Sequence, residues 1–221
     1  HVAGIVAGNG SIIGVAPSAK LVAMKVCNSG GGCSASDVSA AIEWCTSNKN
    51  TYDIRVITMS LGGGLYSSNC DSSYASITAA VNAAVSNNIA VFAASGNSGS
   101  LTSIAAPACI TNVIAVGGTD KSDGMYVGGN RNSLIGILAP ATSIKSSYLG
   151  GGTATLTGTS MATPHAAAAG NLLQEYAGAN GKSITPSEIK NAMKNNGKII
   201  NDSGSGASYA RLDVYKALLS L

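Results

Sequence analysis

The sequence predicts a three-layer α/β sandwich with a mainly parallel, helix-covered sheet. Ile89 to Ala94 is a continuous apolar run of strand length, the pattern of a strand covered by helices on both sheet faces. Helical patterns at 36–48 and 71–86 separate strand patterns at 20–26, 55–60 and 89–94. Only 10% of the residues are charged, 45% are hydrophobic and 28 are glycines, which suits a compact, loop-rich chain whose helices touch through small residues. A length of 221 residues suits one domain with a core large enough to need no disulfide scaffold.

Residues 1–8, His-Val-Ala-Gly-Ile-Val-Ala-Gly, read as a tightly packed helix ended by Gly8. Residues 8–14 contain a glycine pattern like a dinucleotide fingerprint, but it follows a helix rather than a strand. No acid lies about twenty residues further on, so a nucleotide-binding α/β protein is disfavoured. Lys20 to Val26 alternates and is rich in apolar residues, which predicts a buried strand. After a glycine-rich loop, Ser29 to Cys33, the run Ser36 to Asn48 forms a helix with Val38, Ala41, Ile42 and Cys45 on one stripe. Arg55 to Ser60 is the next core strand and runs into Leu61-Gly62-Gly63-Gly64. Asp71 to Ser86 is a second amphipathic helix with Ile77, Ala80, Val81 and Ala84 inward.

Strand 89–94 delivers Ser95-Gly96-Asn97-Ser98-Gly99 at its carboxyl end, where open α/β sheets place their sites. Val113 to Gly117 is a further core strand. Residues 130–140 form a loop and strand, and residues 143–152 lead to the segment that begins at Gly158. Thr185-Pro186-Ser187-Glu188 is a capping box with proline at the first helical position; its helix runs to Gly197. Leu212 to Leu221 closes the domain as a last helix. The sequence contains no linker, repeat or second domain.

The net charge of +3, without a basic cluster, gives no argument for a nucleic-acid partner. No apolar run approaches the roughly 18 residues of a membrane span. The five cysteines form no CxxC pair, and with only His1 and His165 beside them they do not make a zinc site. An odd count leaves at least one thiol unpaired.

The chemistry concentrates at Gly158-Thr159-Ser160-Met161-Ala162-Thr163-Pro164-His165, followed by a run of alanines to Ala169 and Gly170. Ser160 falls at a helix start, where backbone N–H groups have no partner and the helix dipole favours negative charge. A serine whose oxygen attacks a carbonyl belongs there, because an oxyanion then forms beside those donors. The octapeptide closely resembles the nucleophile motif of the subtilisin-like serine proteases, the subtilases, and the resemblance extends from His1 to the C-terminal helices.

That resemblance implies an endopeptidase acting through an acyl-enzyme, with Ser160 as nucleophile and Asn97 as oxyanion donor. A neutral donor with a short, fixed side chain suits the second role, whereas an aspartate would repel the developing charge. It also implies a substrate strand lying against Gly30, Gly31 and Gly32. The opposite wall would be Ser60, Leu61, Gly62 and Gly63, with Ala94, Ser95 and Gly96 completing the binding surface. A glycine-lined pocket without a fixed charge points to broad specificity for uncharged side chains.

In the family motif H-G-T-H-V-A-G the first histidine is the catalytic base; His1 matches the second. The expectation is therefore a subtilisin-like peptidase domain over 1–221 that lacks the N-terminal part with the catalytic Asp and His. On that reading His1 is structural. His165 lies five positions along the helix from Ser160, about 500° round, and faces away from it. The rival expectation is a catalytically incompetent remnant acting as a peptide-binding or structural module.

Family analogy further implies a secreted or cell-surface monomer with an inhibitory propeptide and a peptide or protein substrate. It implies no cofactor for the chemistry. Structural calcium has little support: the 8–14 connection offers no carboxylate, and Gly136 stands where some relatives carry an acid before Ala139-Pro140, leaving Asp120 and Asp123 as candidates. Spacing and the resemblance in the surrounding loops suggest Cys27–Cys33 and Cys70–Cys109 bridges with Cys45 free, although the sequence leaves connectivity open. Such bridges imply an oxidising compartment.

Overall fold

The structure, a computed structural model, describes all residues from 1 to 221. Its central sheet has six strands in the order β1 (Val56–Met59), β3 (Ala90–Ala94), β5 (Ile114–Thr119), β6 (Ile135–Pro140), β10 (Ser208–Arg211) and β9 (Lys198–Asn201). The first five run parallel and β9 pairs antiparallel with β10. Two small antiparallel ribbons stand apart from this sheet. One joins β2 (Gly63–Tyr66) to β4 (Ile104–Ala106), the other β7 (Ile144–Ser147) to β8 (Thr153–Leu156).

Every residue of β3 and β5 is buried, so the unbroken apolar runs mark strands sandwiched between helices. Side chains of alternate residues leave opposite faces. Val91, Ala93, Ala115 and Leu138 join one core with α2 (Ala35–Ser47) and α4 (Ala75–Ser86). Ala90, Phe92, Ile114, Val116 and Ile137 join the other with α5 (Thr159–Ala179), α6 (Pro186–Asn196) and α7 (Val214–Leu219). The short helices α1 (Val2–Ala7) and α3 (Lys49–Tyr52) complete the count.

The long helix α5 crosses β1, β3, β5 and β6, and its buried Ala162, Ala166, Ala167 and Ala169 permit that close approach. At Gly170 there is no room for a side chain: a Cβ there would meet the Phe92 ring at 2.8 Å. Helix starts follow the local chemistry. Ser34 Oγ accepts the Asp37 N–H and Asp213 accepts the Lys216 N–H. Thr185 and Glu188 form the reciprocal capping box read from the sequence. The bridges are Cys27–Cys33 and Cys70–Cys109, as expected, and Cys45 is a buried free thiol whose pKa burial pushes up.

One expectation is corrected here. Lys20 to Val26 is not a buried strand: it forms no strand, and Leu21, Val22 and Met24 are exposed. Alternation supplies a face but not a partner, and within 1–221 no strand lies beside it. The outer edge of β1 is likewise unpaired, with Thr58 exposed in mid-strand. Pro164 lies beyond the first helical turn, as the sixth residue of α5.

Candidate active site

The carboxyl ends of β1 and β3 and the N-terminus of α5 meet at one place. Ser160 is the second residue of α5. The Thr159 N–H donates to Asn97 Oδ1 at 2.9 Å, and the Met161 N–H donates to the Gly158 carbonyl at 2.9 Å. The Ser160 N–H between them has no hydrogen-bond partner within the protein.

The Asn97 carboxamide is oriented from its oxygen. The Thr159 N–H and the Thr159 hydroxyl (3.1 Å) both donate to Asn97 Oδ1, while the same hydroxyl accepts from the Gly96 N–H at 3.2 Å. The Asn97 Nδ2 group is left free, on the side of the Gly158 Cα. Two uncommitted donors, Asn97 Nδ2 and the Ser160 N–H, thus flank the start of the helix. That is the arrangement for stabilising an oxyanion. Gly96 must be glycine here, since its φ is +98° and a Cβ would lie 2.5 Å from the Asn130 side chain.

Ser60 supports the serine from the other side. Proline at 164 removes the N–H that would bond the Ser160 carbonyl in the helix. Ser60 Oγ donates to that orphaned carbonyl at 2.9 Å instead. The Ser160 hydroxyl makes one weak contact, to the Ser60 carbonyl at 3.5 Å.

Neither histidine bonds Ser160. His165 Nδ1 donates to the Met161 carbonyl of its own helix at 2.8 Å, and burial pushes its pKa down, so the ring is neutral at pH 7. His1 Nε2 lies 3.1 Å from both the Ile144 and the Ala154 carbonyls, which ties α1 to the β7–β8 ribbon. The residues 1–221 therefore bring together Ser160, its unpartnered N–H and the free Asn97 Nδ2 group, with neither histidine hydrogen-bonded to Ser160.

This geometry decides how the similarity to known proteins is read. The subtilase family profile matches residues 1–210. The chain belongs to the subtilase family. It is 39% identical over 198 residues to Subtilisin Savinase of Lederbergia lenta and to an alkaline protease of Shouchella clausii, covering 88% of this chain in each case. It spans 68% of the first relative and 48% of the second, about half its length. Among solved structures, the patellamide maturation protease PatA superposes over the whole chain and 82% of its own, with a TM-score of 0.88 and 26% identity. The prenylagaramide maturation protease PagA gives a TM-score of 0.86 at 28% identity, covering 81% of that chain.

Within this subtilase the remaining predicted site residues fall unevenly. Ser60, Leu61 and Gly62 make no main-chain hydrogen bonds in the turns and loops around them. A Cβ on Gly63 would meet nothing within 4 Å, whereas one on Gly62 would lie 2.5 Å from the Ala106 carbonyl oxygen, so the segment is open at Gly63 and backed by β4 at Gly62. Ala94 and Ser95 are buried. The Ser95 N–H donates to Val116, its carbonyl accepts from Ala105 and its hydroxyl donates to the Asn130 carbonyl at 2.7 Å. Every polar group of Ser95 is hydrogen-bonded within the protein, so it supports the loop. Gly96 has its N–H and carbonyl engaged as well, by Thr159 and Asn130.

The Gly30–Gly32 loop is exposed but its amides are taken. Asn28 Oδ1 accepts the Gly30 and Gly32 N–H groups, and the Asn28 carbonyl accepts the Gly31 N–H. The loop is a closed turn across the Cys27–Cys33 bridge and not an open strand edge. The candidate calcium ligands are also engaged. Asp120 accepts the Ser122 and Gly124 N–H groups, and Asp123 pairs with Lys198 and Arg211.

Sequence reasoning missed the support behind Asn97. Asn130 and Arg131 are buried, and Arg131 forms a two-pronged pair with Asp202, whose turn joins β9 to β10. Burial pushes the Asp202 carboxyl up, but bonds from Arg131, Ser205 and the Gly204 N–H outweigh it and hold the pKa at about 2. A carboxyl depressed from 3.8 to about 2 stabilises the fold fully above its unfolded value and loses that contribution as pH falls toward 2. Denaturant unfolding of the parent should accordingly weaken between pH 4 and pH 2, and Asp202→Asn should flatten that slope. Equal slopes for both would remove the pair from the acid response.

Proposed function

We propose that residues 1–221 carry the nucleophile, the oxyanion hole and the main substrate wall of a secreted serine endopeptidase. The observation that carries this reading is the pair of free donors, Asn97 Nδ2 and the Ser160 N–H, beside a serine at a helix start. Ser160 Oγ attacks the scissile carbonyl and forms the acyl-enzyme, the two donors take the negative charge, and water releases the acid. The general base and the acid that orients it come from outside residues 1–221, since neither histidine within them reaches Ser160. The unpaired edge of β1 and the bare Lys20–Val26 segment support a further strand there, because open sheet edges recruit strands.

The substrate runs as an extended strand along Ser60–Gly63, where Leu61 and Gly62 keep main-chain groups unpaired for β-augmentation while Gly63 already pairs with Ala106. Gly30–Gly32 pairs with substrate only if the Asn28 turn opens. The absence of any fixed charge along Ser60–Gly63 and Ala94–Gly96 supports broad specificity for uncharged side chains. Two disulfides support an oxidising, extracellular setting.

The test uses the chain extended at His1 by a segment with the aspartate and the His-Gly-Thr of the family pattern. This extended enzyme should hydrolyse casein and uncharged chromogenic peptides, and Ser160→Ala should reduce kcat by about a million-fold, as for loss of a triad serine. Full activity in Ser160→Ala would refute the assignment.

A further inference from the structure

Asn97 sits in a loop whose residues on both sides are bonded to one buried residue, Asn130: through its backbone on one side and its side chain on the other. The Asn130 N–H donates to the Gly96 carbonyl at 2.9 Å. Asn130 Oδ1 accepts the Ser98 N–H at 2.8 Å and the Ser100 N–H at 3.1 Å, and the Asn130 carbonyl accepts Ser95 Oγ at 2.7 Å. The Arg131 N–H adds a bond to the Ser100 carbonyl at 2.9 Å. Five bonds thus fasten residues 95–100 to residues 130 and 131, and the two residues flanking Asn97 both bond Asn130.

Asn130 is itself held from behind. The Arg131 guanidinium donates through Nε to Asp202 at 2.6 Å, through Nη2 to the other carboxylate oxygen at 3.3 Å and through Nη1 to the Gly129 carbonyl at 3.0 Å. Asp202 also accepts from the Gly204 N–H and from Ser205. Both charged side chains are 5% exposed, so the pair is shielded from solvent and salt.

We infer that Asn130 is a positioning residue for the Asn97 oxyanion donor, and that the buried Arg131–Asp202 pair fixes Asn130 by tying it to the β9–β10 turn. The inference rests on the oxyanion role proposed for Asn97. Catalytic hydrogen bonds tolerate little displacement, and a misplacement of about 1 Å can cost about 100-fold in rate. Residues remote from the serine in sequence and in contact thereby set the geometry of its oxyanion hole.

The experiment compares the extended enzyme with its Asn130→Ala, Asn130→Asp and Asp202→Asn variants, reading amide hydrogen exchange and steady-state kinetics below each variant's Tm. In Asn130→Ala, exchange should quicken at Ser98 and Ser100, and kcat should fall by about 10- to 100-fold with KM near the parent's. Asn130→Asp keeps an accepting oxygen and should restore protection at both amides. Asp202→Asn, which lies outside the loop, should shift exchange and kcat in the same direction by less, and it decides the matter if Asn130→Ala does not fold. Unaltered exchange at Ser98 and Ser100, or a lowered Tm with parental kcat, overturns the inference. If the parent itself does not turn over, the oxyanion reading fails while exchange still judges the strut.

Discussion

Asn97→Ala in the extended enzyme is expected to lower kcat by about 100- to 1,000-fold while KM stays close to the parent's, a magnitude carried over from a subtilisin and not calculated for this chain. The split between the constants follows from where the charge is. A ground-state carbonyl needs little from the Asn97 Nδ2 group, whereas the tetrahedral oxyanion takes a full hydrogen bond from it. Thr159 makes the donor available by holding Oδ1 with two hydrogen bonds, so the amide cannot rotate without breaking both. Replacement by alanine leaves the Ser160 N–H as the single remaining donor. Asn97→Asp should be no better, because a carboxylate places negative charge where the oxyanion forms. Parental kcat in Asn97→Ala would remove this residue from the mechanism.

Much of this site could be read from the chain because its parts are local. Ser160 announces itself by the residues around it: a glycine before the helix, a hydroxyl residue at its first position and small apolar residues after. Asn97 follows from the buried strand 89–94, which fixes where the loop must emerge. The apolar run that predicts a doubly covered strand is also why β3 lies inside the sheet. The disulfides were accessible through spacing and family resemblance, while connectivity as such leaves no trace in one sequence.

What could not be read depends on partners distant in the chain. Asn130 and Arg131 look like an ordinary polar loop, and nothing in the sequence links Arg131 to Asp202, 71 residues away. Ser95 looks like a site residue because it precedes Asn97, yet the Asn130 carbonyl claims its hydroxyl. Lys20–Val26 failed for the opposite reason. Its alternation is real, but a strand exists through the strand beside it, and pattern alone cannot supply one. Pro164 illustrates a smaller effect of the same kind: its cost within the helix is offset by Ser60, about a hundred residues upstream.

The central claim is that Ser160 is a prepared nucleophile whose base is not among residues 1–221. A serine hydroxyl is weak at neutral pH and becomes reactive when an adjacent base takes its proton. His165 is neutral but bound to Met161, and His1 is bound between two carbonyls of the β7–β8 ribbon. Treatment with a fluorophosphonate serine probe reads this directly, because the probe forms a bond between Ser Oγ and phosphorus, expels fluoride and gives up the hydroxyl proton to the base. The 221-residue chain should label negligibly over hours, while the extended enzyme should label rapidly and stoichiometrically at Ser160, mapped by peptide mass. Rapid stoichiometric labelling of Ser160 in the 221-residue chain would contradict the account, since it requires a base that His1 and His165, where they stand, do not provide.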